Sequence, residues 1–235
     1  MKHLIFLAPL LVLAGCRKHD TPPPPPATCL ISQATHTGSP VNIGPTKFTY
    51  DTQGRLISTV ESDTIITTFT RAGDSVVANT IVPRGPVSRV IIHNNKDGLA
   101  TNIRVTFNFE DALWFNISYE YNGQQLARSV FTSSTRPDTL VTAFTWSAGN
   151  MVSSTNDSTT EKFDYYTDQP RQQGDPQFLD QFSQGFEIIR TKDLIRSRDR
   201  LTYTYEFRPD GKITAVTAKD TVGETFITHY DYDCK

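Results

Sequence analysis

The sequence predicts an all-β fold: a single antiparallel meander of about a dozen strands, strongly curved or closing into a barrel-like sheet. Three observations carry that expectation. Thr and Ser are abundant, at 32 and 16 copies, and aromatics make up 11% of the chain. Such residues pack well on a pleated, half-buried surface. Apolar residues alternate with polar ones over short runs, the period of a strand with one buried face. Glycine turns separate these runs at regular intervals, while Leu-rich stretches at helical spacing are absent.

The chain opens on an export signal. Lys2 supplies a positive start, and residues 4–13 are almost wholly apolar. Ten residues are too few to cross a bilayer core, which takes about 20. A charged start, a short apolar core and small residues before the cut describe a secretory signal peptide over residues 1–15. Leu13-Ala14-Gly15-Cys16 resembles the lipobox of bacterial lipoproteins. The resemblance implies cleavage before Cys16, a thioether-linked diacylglycerol on Cys16 and commonly an N-acyl chain. Two or more chains anchor a protein durably, whereas one does so only marginally. Arg17, not Asp, follows the anchor. By analogy with sorting rules, that points to the outer membrane, on its periplasmic or its surface face.

Residues 16–28 form a linker with five consecutive prolines, Pro22 to Pro26. Such a run adopts polyproline II and acts as a semi-rigid spacer. The folded part is then residues 29–235, one domain, since no second linker appears. Cleavage removes one basic residue and leaves 22 basic against 25 acidic, a net charge of −3. No basic block suggests nucleic acid. Cys29 and Cys234 remain near the two ends of the domain. In an oxidising compartment this pair is expected to bond and clip the first strand to the last.

The hairpins follow in order. Residues 47–57 run aromatic strand, turn at Gly54, then a second strand. Residues 68–73 turn at Gly73, 90–99 at Asp97-Gly98, 119–123 at Asn122-Gly123, 144–151 at Gly149 and 203–213 at Asp210-Gly211. Asn-Gly and Asp-Gly are strong hairpin signals because the glycine takes the positive φ of a tight turn. From Gly54 to Gly149 the turns fall 19, 25, 25 and 26 residues apart, each interval fitting two strands with their connections. Alternation places Leu201, Tyr203, Tyr205 and Phe207 on the buried face, with Thr202, Thr204 and Glu206 turned away. Tyr230 and Tyr232 share the buried face near the end of the chain. Residues 168–200 break the pattern and read as one long connection. Pro176 opens a short helix near 176–184 within it, capping an open end of the sheet.

Tyr50-Asp51-Thr52-Gln53-Gly54-Arg55-Leu56 resembles the YD repeat of Rhs and teneurin proteins. The chain as a whole, over about residues 29–235, is similar to small bacterial lipoproteins of unknown function with a porin-like β-meander fold. That resemblance implies the meander and brings no catalytic residues. A true membrane pore is disfavoured. Spanning strands need about 9–11 residues and an outward apolar band, whereas these runs are shorter and their second faces carry Thr, Ser and charge.

The chemistry is sparse. No nucleophile elbow, zincin, phosphate-loop or calcium-loop motif occurs. His229, Asp231 and Asp233 share one strand face at alternate positions but read as a solvated face; no metal and no cofactor is expected. Acidic pairs such as Asp164 and Asp168 are where a carbohydrate-active hydrolase would draw acid and base, but turn-and-surface Asp is the commoner reading. Trp114, Phe115 and Trp146 are candidates for an aromatic platform under sugar rings, or else core residues. Five Asp-Ser/Thr strings, with hydroxyls at Thr64, Ser75, Thr139, Ser158 and Thr221, resemble an O-glycosylation sequon of Gram-negative envelope proteins. Asp at a turn before a β-branched strand start gives the same string. The expected function is an envelope-anchored, non-catalytic binding or structural module for a glycan or an envelope protein. The alternative is a hydrolase using Asp and Glu.

Overall fold

A computed structural model describes residues 29–38, 44–108 and 112–234. The signal peptide, Cys16 and the proline linker lie outside the described residues. The first eight strands are β1 (Cys29–Thr37), β2 (Thr46–Tyr50), β3 (Leu56–Glu61), β4 (Ile65–Ala72), β5 (Ser75–Val82), β6 (Gly85–Asn94), β7 (Ala100–Phe107) and β8 (Trp114–Asn122). Then come β9 (Gln125–Ser133), β10 (Leu140–Ser147), β11 (Asn150–Thr155) and β12 (Thr160–Pro170). After the helix α1 (Pro176–Phe182) follow β13 (Asp193–Arg198), β14 (Leu201–Phe207), β15 (Ile213–Lys219) and β16 (Thr225–Cys234). Each strand pairs antiparallel with its sequence neighbours, and β1 also pairs with β16. The meander is therefore a closed barrel, which removes sheet edges altogether.

The barrel holds sixteen strands, not a dozen. Some of the uncounted turns lack glycine. Ser62 and Asp63 turn at φ 51° and 57°, and Asp199 at 48°. Asp reaches this left-handed region because its short polar side chain bonds locally. The predicted turns at Gly54, Gly98, Gly123, Gly149 and Gly211 are all present with positive φ. The connection assigned to 168–200 is shorter than expected. β12 continues to Pro170, and residues 193–198 form β13, paired on both sides.

Antiparallel neighbours put the starts of odd strands and the ends of even strands at one end of the barrel. That end carries the glycine turns and the disulfide between Cys29 and Cys234, which face each other across β1 and β16. At the same end, six even strands carry an inward aromatic that donates to a backbone carbonyl of the preceding odd strand. Tyr50 donates to Ile31 O at 2.7 Å, Tyr121 to Ala100 O at 2.7 Å and Trp146 Nε1 to Leu126 O at 2.7 Å. Tyr165 donates to Met151 O at 2.8 Å, Tyr205 to Ile195 O at 2.6 Å and Tyr232 to Ile213 O at 2.8 Å. The six accepting residues are buried. The repeated hairpin of the sequence is thus one physical unit used around the ring.

The turn of the Tyr50–Leu56 copy also recurs. Asp51 Oδ1 accepts from the amides of Gln53 and Arg55, both at 2.9 Å. Asn95 does the same for Asp97 and Leu99, and Asp220 for Val222 and Glu224. These bonds are the main reason the Asp51 carboxyl lies below the usual carboxylate range.

Faces follow the predicted alternation. Tyr203 and Tyr230 are buried, Tyr205 and Tyr232 half-buried, and Thr202, Thr204 and Glu206 exposed. Phe207 is the exception: it pairs with Ile213 on the inward face but is 42% exposed, because it stands at the strand end. Outward positions such as Thr68, Thr70, Lys162 and Asp164 are exposed. The outer face also exposes Ile57, Ile66 and Ile81, so it is mixed, polar with scattered apolar side chains, whereas a membrane-spanning barrel carries an apolar band outward.

Residues 171–192 plug the glycine-turn end. Asp175 is fully buried; it caps α1 by accepting from Gln177 N and Phe178 N, and its second oxygen accepts from Ile195 N at 2.9 Å. Phe182 packs on Phe48 and Tyr50, with ring centroids 6.3 and 6.0 Å away. Gln181 Oε1 accepts from Ile188 N and Ile189 N and folds the segment back on itself. Further bonds tie the plug to the wall all round: Ile31 N to Gln173, Ala100 N to Glu187 O and Lys192 N to Gly149 O.

Candidate functional site

The plug divides the lumen. On its own side the strands' inner faces are taken up by packing. Toward the other end, here called the mouth, inward side chains are mostly half-buried and line open space. One cavity of about 370 Å³ is walled by Val90, Ile103, Val105, Phe115, Ile117 and Tyr119, and floored by Ser183, Gln184 and Phe186 behind α1. Thr67, Thr80 and Ser88 add hydroxyls on the same wall. These positions are cross-strand partners: Ala78 opposes Val90, Val90 opposes Val105, and Val105 opposes Phe115. The period-2 pattern of four strands therefore converges on one apolar surface.

Tyr119 gives that surface a polar handle. Five tyrosines at the plugged end donate to carbonyls, whereas the Tyr119 hydroxyl, like that of Tyr230 beside the plug, has no hydrogen-bond partner among the described residues. Burial alone pushes its pKa far above the usual phenol value, so it stays a neutral donor and acceptor.

A second, charged wall lies on the other side of α1, around a cavity of about 190 Å³. Glu161 accepts from Arg198 Nε at 2.8 Å. Asp180, on α1, lines the same cavity. Burial raises its carboxyl above the ordinary range, with Arg198 opposing. An apolar wall with scattered hydroxyls and one solvent-exposed carboxyl at its edge suits a ligand with an apolar body and a few polar groups.

The structure separates the residues expected to form a platform. Trp114 stands at the mouth rim, with Arg104 stacked 4.7 Å from its ring. Phe115 points into the lumen. Trp146 is at the plugged end, donating to Leu126. Trp114 and Phe115 still border one cavity at the mouth rim, with Phe107 and Phe131, but Trp146 ends its strand at the opposite end of the barrel and takes no part in it. Asp164 and Asp168 are exposed, and Asp164 is ion-paired with Arg196 on the outer wall. His229, Asp231 and Asp233 occupy exposed positions of β16. Thr64, Thr139, Ser158 and Thr221 are exposed at mouth-end turns. Ser75 is at the plugged end, half-buried, with its hydroxyl engaged to His93 Nδ1 at 2.9 Å. Sequence reasoning missed Tyr119, Glu161, Asp180 and Arg198 as a group. Tyr119 was visible through its alternation with Tyr121; the other three meet only across the closed sheet and plug.

No protein-family model matches the chain, and no curated protein does. Among solved structures it is similar to a porin-like protein from Bacteroides uniformis, with a TM-score of 0.59 and 14% identity over 86% of this chain and 96% of that one. At that identity the likeness is one of fold, and it is the fold described here: an antiparallel meander closed into a barrel.

Proposed function

We propose that the chain is an envelope-anchored, non-catalytic binding module that takes an amphiphilic small ligand through the mouth. The observation that carries this reading is the half-buried apolar cavity behind the mouth, with Tyr119 unpaired inside it. The lipobox-like cysteine and the geometry of β1 support the orientation. The linker joins at Cys29, on the plugged end, so an anchor at Cys16 sets the mouth away from the lipid. The outer wall, polar with scattered apolar side chains, supports a barrel held beside the outer membrane, not through it.

Two measurements test the reading together. Cys16→Ser should move the protein from the membrane to the soluble fraction; unchanged detergent partitioning rejects the anchor. The apolar dye N-phenylnaphthylamine should bind the purified barrel saturably, and Val105→Trp should block it without lowering the melting temperature. Dye binding that V105W leaves unaltered rejects the lumen as the site.

A further inference from the structure

The ring of inward residues at the plugged end is broken at two places, and both breaks border one cavity. Six of the eight even strands carry an aromatic that reaches the preceding strand. β4 carries Arg71 instead, which opposes Val76 as Tyr121 opposes Leu126. β6 finishes on Asn94, which opposes Ala100 across a bulge as Tyr50 opposes Leu56. Arg71 reaches the Leu56 carbonyl only at 3.5 Å. Asn94 is too short to bridge, and its Oδ1 is buried with no hydrogen-bond partner among the described residues. Where two rings would fill the seam between wall and plug, a cavity of about 360 Å³ remains. Leu56, Phe178 and Phe182 form its apolar side, and the Gly73 and Gly98 turns its rim.

Its lining carries two basic and two acidic side chains, Arg71 and Arg171 against Asp74 and Glu187, but they are unevenly paired. Arg171 is paired with Glu187 at 2.7 Å, although its buried Nε and Nη2 have no hydrogen-bond partner among the described residues, and Arg190, outside the lining, holds the same carboxylate at 2.5 Å. Burial pushes Glu187 up, but the two guanidinium groups more than offset this and keep it ionised. Asp74 is exposed at the rim and accepts from Ser75 Oγ. Arg71 is left as a partly buried guanidinium with no ion pair among the described residues. The site therefore offers an unpaired cation, an unpaired acceptor and an aromatic side. Buried polar groups without partners are unusual in folded proteins and call for an explanation.

We propose that this cavity binds a small hydroxylated oxyanion, the size of a sugar acid or sugar phosphate. The oxyanion pairs with Arg71, a hydroxyl donates to Asn94 Oδ1, and the carbon face lies on Phe178 and Phe182. This site is separate from the mouth and does not depend on what the mouth binds. A guanidinium suits both carboxylate and phosphate through its planar fork of donors.

Titration calorimetry with glucuronate, glucose 6-phosphate, glucose and inorganic phosphate tests it. At least one of the two sugar anions should bind about tenfold more tightly than either glucose or phosphate, the factor that one charge-assisted hydrogen bond supplies. Which of the two anions wins identifies the oxyanion. Arg71→Tyr restores the ring pattern, so it should keep or raise the melting temperature and weaken the sugar anion about tenfold or more. Arg71→Met is the second neutral variant, should the ring not fit, and should weaken it equally. Asn94→Leu should weaken the sugar anion but leave inorganic phosphate unchanged. V105W should leave all of this intact. No binding of either sugar anion at about 10 mM, or binding that folded R71Y and R71M both retain, overturns the proposal.

Discussion

The two ends of the barrel are built from the same strands and do opposite things with them. At the plugged end, inward aromatics cross-brace neighbouring strands and pack on α1, and the disulfide closes the ring between β1 and β16. At the mouth end the same alternation continues, but no segment among the described residues fills the lumen, so apolar side chains such as Val105, Phe115 and Ile117 line space. The difference teaches that a sixteen-strand circumference is too wide for wall side chains to meet. Small barrels fill their interior with side chains, but larger ones enclose cavities unless a plug is supplied. Here one segment of the chain, 171–192, decides which half is core and which half is site.

The comparison breaks hardest at the ring closure. Replacing Cys29 and Cys234 together by Ser removes a crosslink spanning 205 residues of sequence. In the chain-entropy account a loop of that length contributes about 5 kcal/mol. Urea unfolding of the double variant should show a loss of that order. A loss below about 1 kcal/mol would mean that the unfolded chain already keeps its ends together.

Two glycines sharpen the contrast at smaller scale. Gly185 and Gly123 both sit at positive φ, 80° and 64°. A Cβ on Gly185 would lie 2.5 Å from the Phe69 ring inside the plugged end, whereas one on Gly123 would meet nothing within 4 Å. Alanine at Gly123 should cost only the backbone term, about 1 kcal/mol. Alanine at Gly185 should add overpacking, for a total of about 3 kcal/mol. Equal losses would show that the plug yields as freely as an exposed turn.

The smallest effect concerns Asp180, which faces the mouth-side lumen. Burial raises its carboxyl above the ordinary value of 3.8, against Arg198. The folded state then holds this proton more tightly than the unfolded chain does. The group's contribution is best below the ordinary value and is lost as pH rises through the raised one. Asp180→Asn should therefore melt higher than wild type at neutral pH, with the gap closing on acidification below 3.8. A gap that widens in acid would reverse the sign.

Much of this was legible along the chain because its physics is local. Alternation in 201–207 placed Tyr203 inward and Thr202 outward, since side chains on a strand change face at every residue. Asn122-Gly123 and Asp97-Gly98 announced hairpins through the positive φ that glycine permits. Pro176, after the capping Asp175, opened the helix. The turns at Ser62-Asp63 and Asp199-Arg200 were less legible, because Ser and Asp also serve in strands and loops of other kinds. So sixteen strands read as about twelve.

By itself, then, the sequence determined the strand type, the faces, the principal turns and the short helix, because each depends on neighbours a few residues apart. Only the tertiary structure decided three things: that the sheet closes, that 171–192 enters one end, and which side chains meet inside. Glu161, Asp180 and Arg198 converge, and Arg71 and Asn94 stand beside one cavity, through pairings between distant strands. Trp146 parts from Trp114 and Phe115 for the same reason. Residue type sets what a side chain can do, but register around a closed ring sets what it can do it with.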